Sequence, residues 1–309
     1  MLVSSKCSFT FFVFLLIFSR AFAQQGLEIK TEEDIQKNIN VVCYNNESCD
    51  YLALFDWKRT PFVPKEHGRV TVHPGKNLIF SLPGIYAKVF YDRNVSLDLL
   101  TGFYIKGRMN TQVNDKIIYL MPVKGSSILV SRTANLDSLI LNKAYSDWYS
   151  LEFHVKEGDT VFASRAGVVC DVNYGDKIRD AYAVYTNTST NVEVFHKDGS
   201  FANYNLLKKD TIFVKKGQRI RPGDPIGLVD RTYNISSLLF TIYYLDISNV
   251  NFSEPLFPQK WYHSLTPGIF TEAGIITDFT QSRECTSSFP FDLMCQELSK
   301  KEKRKLEGK

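Results

Sequence analysis

Histidine is scarce in this chain, with five among 309 residues. His67, His73 and His263 sit beside Pro or Gly turn signals, without the spacing of metal ligands. Apolar runs are also short. The only candidate, Phe11 to Phe18, falls well below the roughly 20 residues needed to span hydrocarbon, which excludes a transmembrane helix in the mature chain. There is no Gly-x-x-x-x-Gly-Lys run, and basic residues are not interleaved with aromatics, so nothing points to nucleotide or nucleic-acid binding. Neither sign of charge dominates: the formal net charge is +4, much of it from Lys300, Lys301, Lys303, Arg304, Lys305 and Lys309 in the tail. No long 3.6-period segment appears between Tyr119 and about residue 260, and helix is expected only after the apolar N-terminal run and near the C-terminus. What is present is apolar and aromatic mass, 44% and 14% of residues, enough to build a core.

Lys6, the apolar run and Ala21-Phe22-Ala23 have the layout of a secretory signal peptide, so residues 1–23 are expected to be cleaved rather than kept as an anchor. No cysteine follows that site, which argues against an N-terminal lipid. Export permits disulfides, and removal of Cys7 leaves Cys43, Cys49, Cys170, Cys285 and Cys295. Cys43 with Cys49, and Cys285 with Cys295, are close enough in sequence to close small loops. Cys170 is the odd one out, in the apolar run Ala166 to Cys170, and is read as a small buried hydrophobe rather than a nucleophile.

The body of the chain reads as β. Arg69–His73, Leu78–Leu82 and Ala87–Tyr91 are β-favouring runs separated by His73-Pro74-Gly75 and Leu82-Pro83-Gly84, giving a small β module over residues 24–118. A second β region spans 119–260, and a C-terminal extension with the basic tail covers 261–309. Within the second region two segments pair strand alternation with Gly corners. The first runs Gly158-Asp-Thr-Val161-Phe-Ala163-Ser-Arg-Ala-Gly167-Val-Val169. The second runs from Val214 through Gly217, Gly223 and Gly227 to Val229. The glycines permit positive φ where a strand turns.

Those two segments, in that order around His196-Lys197-Asp198-Gly199-Ser200-Phe201-Ala202-Asn203-Tyr204, resemble the lysostaphin/LytM-type zinc metallopeptidases, which cleave peptidoglycan. The resemblance implies a mainly β chain with an open antiparallel β-fold and a groove across one sheet. It also implies a zinc held by two histidines and an aspartate, with a water in the open position and two further histidines handling protons.

This chain departs from that pattern at every imidazole. Tyr204-Asn205-Leu206-Leu207 stands where the family has Tyr-x-His-Leu, placing Leu206 at a catalytic position. Ser237-Leu238-Leu239-Phe240 stands for His-x-His-Phe, placing Ser237 at the other catalytic position and Leu239 at a ligand. Tyr149 to Phe153 matches Tyr-Ala-x-Asp-Phe and leaves Glu152 as the ligand-capable group, and the remaining histidine falls near Lys143. The expectation is a degenerate member without zinc or other cofactor: a secreted pseudopeptidase in the periplasm or at the cell surface. Its partner is expected to be an envelope protein or a peptidoglycan-derived peptide. The expected groove comprises Glu152, Tyr204, Leu206, Ser237 and Leu239, with the two leucines as an apolar floor. Tyr233, Tyr243, Tyr244, Trp261 and Tyr262 either line that groove or pack in the core. The alternative is an active metallopeptidase with an atypical site around Glu152 and His154, which share a strand face, joined by His196.

Overall fold

The computed structural model describes residues 26–55, 68–85, 102–134, 148–175, 189–231, 236–250 and 261–307. The expected signal peptide, Lys143, Tyr233 and the run Ala87–Tyr91 lie outside these residues. The chain divides into two compact units, Met1–Lys106 and Gly107–Lys309, so the division falls before residue 118.

The first unit contains β1 (Leu27–Glu33), β2 (Ile39–Asn45), β3 (Tyr51–Phe55), β4 (Arg69–Val72), β5 (Gly75–Leu82) and β6 (Gly102–Lys106). They form two antiparallel three-stranded sheets, ordered β1-β2-β5 and β4-β3-β6. The β1–β2 turn is fixed by Asp34, whose Oδ1 accepts from the N–H groups of Gln36 and Asn38 at 2.9 and 2.8 Å. That Asx geometry tolerates the left-handed Lys37.

The second unit begins with β7 (Ile118–Leu120), β8 (Ile128–Ala134), β9 (Tyr149–His154), β10 (Thr160–Phe162) and β11 (Gly167–Asn173). It continues with β12 (Asn191–Phe195), β13 (Ser200–Asn205), β14 (Arg219–Ile220), β15 (Pro225–Leu228) and β16 (Ser237–Leu245). It ends with β17 (Tyr262–Ser264), β18 (Gly268–Thr271), β19 (Gly274–Ile276), β20 (Arg283–Cys285), and the helices α1 (Phe291–Met294) and α2 (Lys300–Glu307). A nine-stranded antiparallel sheet runs β14-β11-β12-β13-β16-β9-β8-β20, with β17 also on β16. The class is mainly β, as the strand patterns imply. The exception to antiparallel pairing is β7, which runs parallel to β18.

Alternation divides the large sheet into two faces. Val130, Leu151, Phe153, Val192, Val194, Ala202, Tyr204, Leu238, Phe240 and Ile242 point into one core, each large apolar side chain contributing about 1.5–3 kcal/mol by burial. The two Gly-anchored runs are pieces of one structure. Ala163 N donates to Asp224 O and Gly223 N to Ala163 O, at 2.9 and 2.8 Å, while Val169 N and Gly217 N close the same pattern with Gln218 O and Val169 O. Gly158, Gly217 and Gly223 have φ near +85°, as their corners require.

The expected disulfides are not formed. Cys43, Cys49, Cys285 and Cys295, with Cys170, are free and buried. Cys43 is held on β2 between β1 and β5, and Cys285 belongs to the main core cluster. Closeness in sequence does not by itself bring two cysteines into the geometry of a bridge. Burial pushes the Cys43 thiol up to about 11, which keeps it protonated and unreactive.

Candidate functional site

The face of the large sheet opposite the core is built by register. On neighbouring strands Glu152 lies opposite Leu239, and His154 opposite Ser237. Leu239 also lies opposite Asn205, and Glu152 opposite Ser131. Directly opposed residues share a face, so Ser131, Glu152, Leu239 and Asn205 form one row across four strands, with His154 and Ser237 two positions along. The structure thus brings together Glu152, Ser237 and Leu239, three positions picked out in the sequence. Leu206 follows Asn205 and leaves the strand at φ +67°, its N–H donating to Asn205 Oδ1 at 2.8 Å. A leucine in the left-handed region is a strained position.

This row does not fit a zinc ion. Tetrahedral zinc takes three protein donors of His, Cys or carboxylate type. With the pair two positions along, the row offers one carboxylate (Glu152), one imidazole (His154), the hydroxyls of Ser131 and Ser237, the amide of Asn205 and the apolar Leu239, which is two donors of that type rather than three. Asn205 Oδ1 is already occupied by Ser189 Oγ at 2.6 Å and by the Leu206 N–H. Among the described residues no group of three or more His, Cys, Asp or Glu is arranged to hold a metal.

His154 lies with Nε2 3.2 Å from Ser131 Oγ and 3.9 Å from Glu152 Oε2, and its side chain is 41% exposed. His196 does not join them, which corrects the three-residue site considered above. It follows Phe195, so alternation turns it to the core side, where it is fully buried with Nδ1 2.8 Å from Ala166 O. Burial, reinforced by the Arg165 charge, pushes its pKa down to about 3.

Tyr204 is a second correction. Its neighbours Asn203 and Asn205 face the groove side and Tyr204 faces the core, where its hydroxyl accepts the Ser164 N–H at 2.9 Å. The leucine floor is a third. Leu206 and Leu239 are each 5% exposed and Ser237 1%, so these side chains are filled-in structure rather than an open apolar surface.

Sequence reasoning missed the polar residues beside them. Ser150 and Thr241 are opposed through a 2.6 Å hydroxyl pair, and Asn203 lies opposite Thr241 with its Oδ1 buried and without a partner among the described residues. The buried Glu193 accepts from the Tyr243 hydroxyl and, at 3.2 Å, from the Cys170 thiol. Burial and the Glu193 charge push the Tyr243 pKa well above its ordinary value. Tyr243 in turn stacks on Phe201 and touches Trp148 and Tyr262, each at 5.3 Å between centroids. Trp261 is buried, and Tyr244 packs on His263 at 6.0 Å. Only strand register reveals this group, because its members come from β9, β11, β12, β13, β16 and β17.

The sequence profile of peptidase family M23 matches residues 146–252. That segment is similar to peptidase family M23. Solved structures similar to the chain include the catalytic domain of lysostaphin, an antimicrobial peptidase from Staphylococcus simulans, at 20% identity and TM-score 0.26. That match covers 31% of this chain and 65% of the lysostaphin domain, so the chain spans less than two thirds of it. A putative peptidase M23 from Pseudomonas aeruginosa is 17% identical, over 63% of this chain and 83% of that one, at TM-score 0.30. Helicobacter pylori Csd3 is 12% identical, over 93% and 85%, at TM-score 0.29. No curated protein matches the chain. The family assignment rests on the sequence match, not on superpositions at TM-scores this low. The M23 match takes in Glu152, Leu206, Ser237 and Leu239.

Proposed function

We propose that the M23 domain of this chain is a pseudopeptidase: a secreted, non-catalytic module that binds or regulates an envelope protein, or binds a peptidoglycan-derived peptide, in the bacterial cell envelope. The observation that carries this reading is the cross-strand pair Glu152–Leu239, a carboxylate facing an alkyl group where the family has two metal donors. Leu206 and Ser237 stand where it has proton-handling imidazoles. Leucine offers no lone pair and no exchangeable proton. At these positions the chain therefore supplies neither the family's full set of metal donors nor its proton-handling imidazoles. No described helix is long and apolar enough to cross a membrane.

The purified mature protein is expected to hold no stoichiometric zinc by elemental analysis and to leave purified cell wall uncut. One observation favours a second reading: His154 and Glu152 lie 3.9 Å apart on the groove face, the start of an atypical metal site. One zinc per chain, lost on Glu152→Ala, together with chelator-sensitive release of muropeptides, would establish that reading and sink the first.

A further inference from the structure

Arg165 is among the largest fully buried side chains of the protein. Its Nη1 donates to Asp198 Oδ2 at 2.9 Å, Tyr119 OH at 3.0 Å and Ser200 Oγ at 3.4 Å. Asp198 is fixed in turn, accepting from Ser200 Oγ at 2.7 Å and from the N–H groups of Ser200 and Asn114, both at 3.1 Å. This side of the guanidinium is therefore locked to the sheet. The other edge, Nε and Nη2, donates in parallel to Glu297 Oε2 and Oε1 at 2.9 and 2.8 Å, the forked geometry by which arginine recognises carboxylates.

Glu297 comes from the C-terminal segment after α1. Beside it, Gln296 docks on β7 as a strand would, accepting from Ile118 N at 3.2 Å and donating to Ile118 O at 2.6 Å. A cavity of about 630 Å³ borders the fork, lined by Asn114, Arg165, Lys197, Gln296 and Ser299 among others, and Lys197 is exposed at its edge. None of these residues belongs to the groove above.

We propose that the Nε/Nη2 edge of Arg165 is a carboxylate-binding site, entered through this cavity and filled in the resting chain by Glu297, from which the carboxylate of an acidic peptide displaces the C-terminal strap. The guanidinium is preorganised by Asp198, Tyr119 and Ser200, so an incoming carboxylate replaces Glu297 at a fork already in place, against the cost of breaking the internal pair and releasing the Gln296 contact with Ile118. Removing Glu297 without replacement leaves a buried fork with its donors unmet.

The test uses full-length protein carrying Glu297→Ala. Its melting temperature should fall by roughly 5–15 °C, and formate or acetate should restore a substantial part of that loss, where chloride at equal ionic strength does not. Wild type should be indifferent to both salts, and Arg165→Leu combined with Glu297→Ala should lose the carboxylate response. Equal effects of acetate and chloride on Glu297→Ala overturn the proposal. Should that variant fail to fold, hydrogen exchange of wild type decides the matter. A Glu-rich peptide should speed exchange at amides 290–299 where its Gln-for-Glu counterpart does not, and identical exchange with both peptides overturns the proposal.

Discussion

His196 shows how much a single position depends on which side of a strand it takes. The ring is buried, one nitrogen is bonded to a carbonyl, and Nε2 has no partner among the described residues. Its pKa in the folded state, about 3, lies below the ordinary 6.5. Between those values the unfolded chain binds a proton that the folded chain refuses. The contribution is therefore intact above pH 6.5 and is lost as pH falls toward 3. Asp198 acts in the same direction lower down. Burial alone would raise its pKa, but the Arg165 charge and the Ser200 bond hold it at about 2, so its contribution fades from near pH 4 downward. The second unit should thus lose about 2 kcal/mol between pH 7 and pH 5 through His196. Urea titrations at the two pH values should show this loss in wild type and a much smaller one in His196→Gln. Equal loss in both would mean that the imidazole is not kept neutral.

Among the elements, the corner from β10 into β11 is the least tolerant of added bulk. At Gly167 a Cβ would stand 2.5 Å from Val194 Cγ1 and 2.7 Å from Phe195 O. The carbonyl belongs to the β11–β12 ladder, which continues through Val168 opposite Phe195, so it cannot retreat without breaking pairing. Gly167→Ala is expected to cost about 1–3 kcal/mol, measured as a lower urea midpoint at unchanged slope. A midpoint equal to that of wild type would show that the corner has slack. Gly-anchored corners of this kind are legible in sequence because sterics restrict them to one residue type. Which runs they join is not legible. The 158–169 and 214–229 segments are neighbours only through hydrogen bonds between residues about 60 apart.

The second unit as a whole is larger than its M23 match. β7 and β8 precede residue 146, and β17, β18, β19 and β20 follow residue 252. β8 pairs with β9, and β20 with β8, within the large sheet. Tyr119, Val123, Ile128, Val130, Ile269, Phe279 and Cys285 all belong to the same core cluster as the M23 strands. A fragment of residues 146–252 is expected to remain unfolded, because it exposes β9 as a raw edge and removes one wall of the core. A fragment of residues 107–307 should unfold in one cooperative transition by circular dichroism. Cooperative unfolding of the shorter fragment would show that the flanking strands are ornament.

The sequence by itself determined the β class and the Gly corners, because each follows from residue type at a local spacing, and its motifs carry the resemblance to the M23 peptidases. It picked out Glu152, Ser237 and Leu239 through the family's motifs, and these fall on the neighbouring strands β9 and β16. It misplaced Tyr204 and His196, whose facing depends on where a strand begins within its run, and a shift of one residue turns every side chain over. It paired cysteines by nearness along the chain, whereas in the structure all five are free and buried. The Arg165 fork, the group around Glu193 and the absorption of the C-terminal strands into the core were decided by tertiary structure alone. Their partners lie far apart in the chain, Arg165 from Glu297 by 132 residues and Cys285 from Ile128 by 157, and only the closing of the sheet brings them within hydrogen-bonding reach.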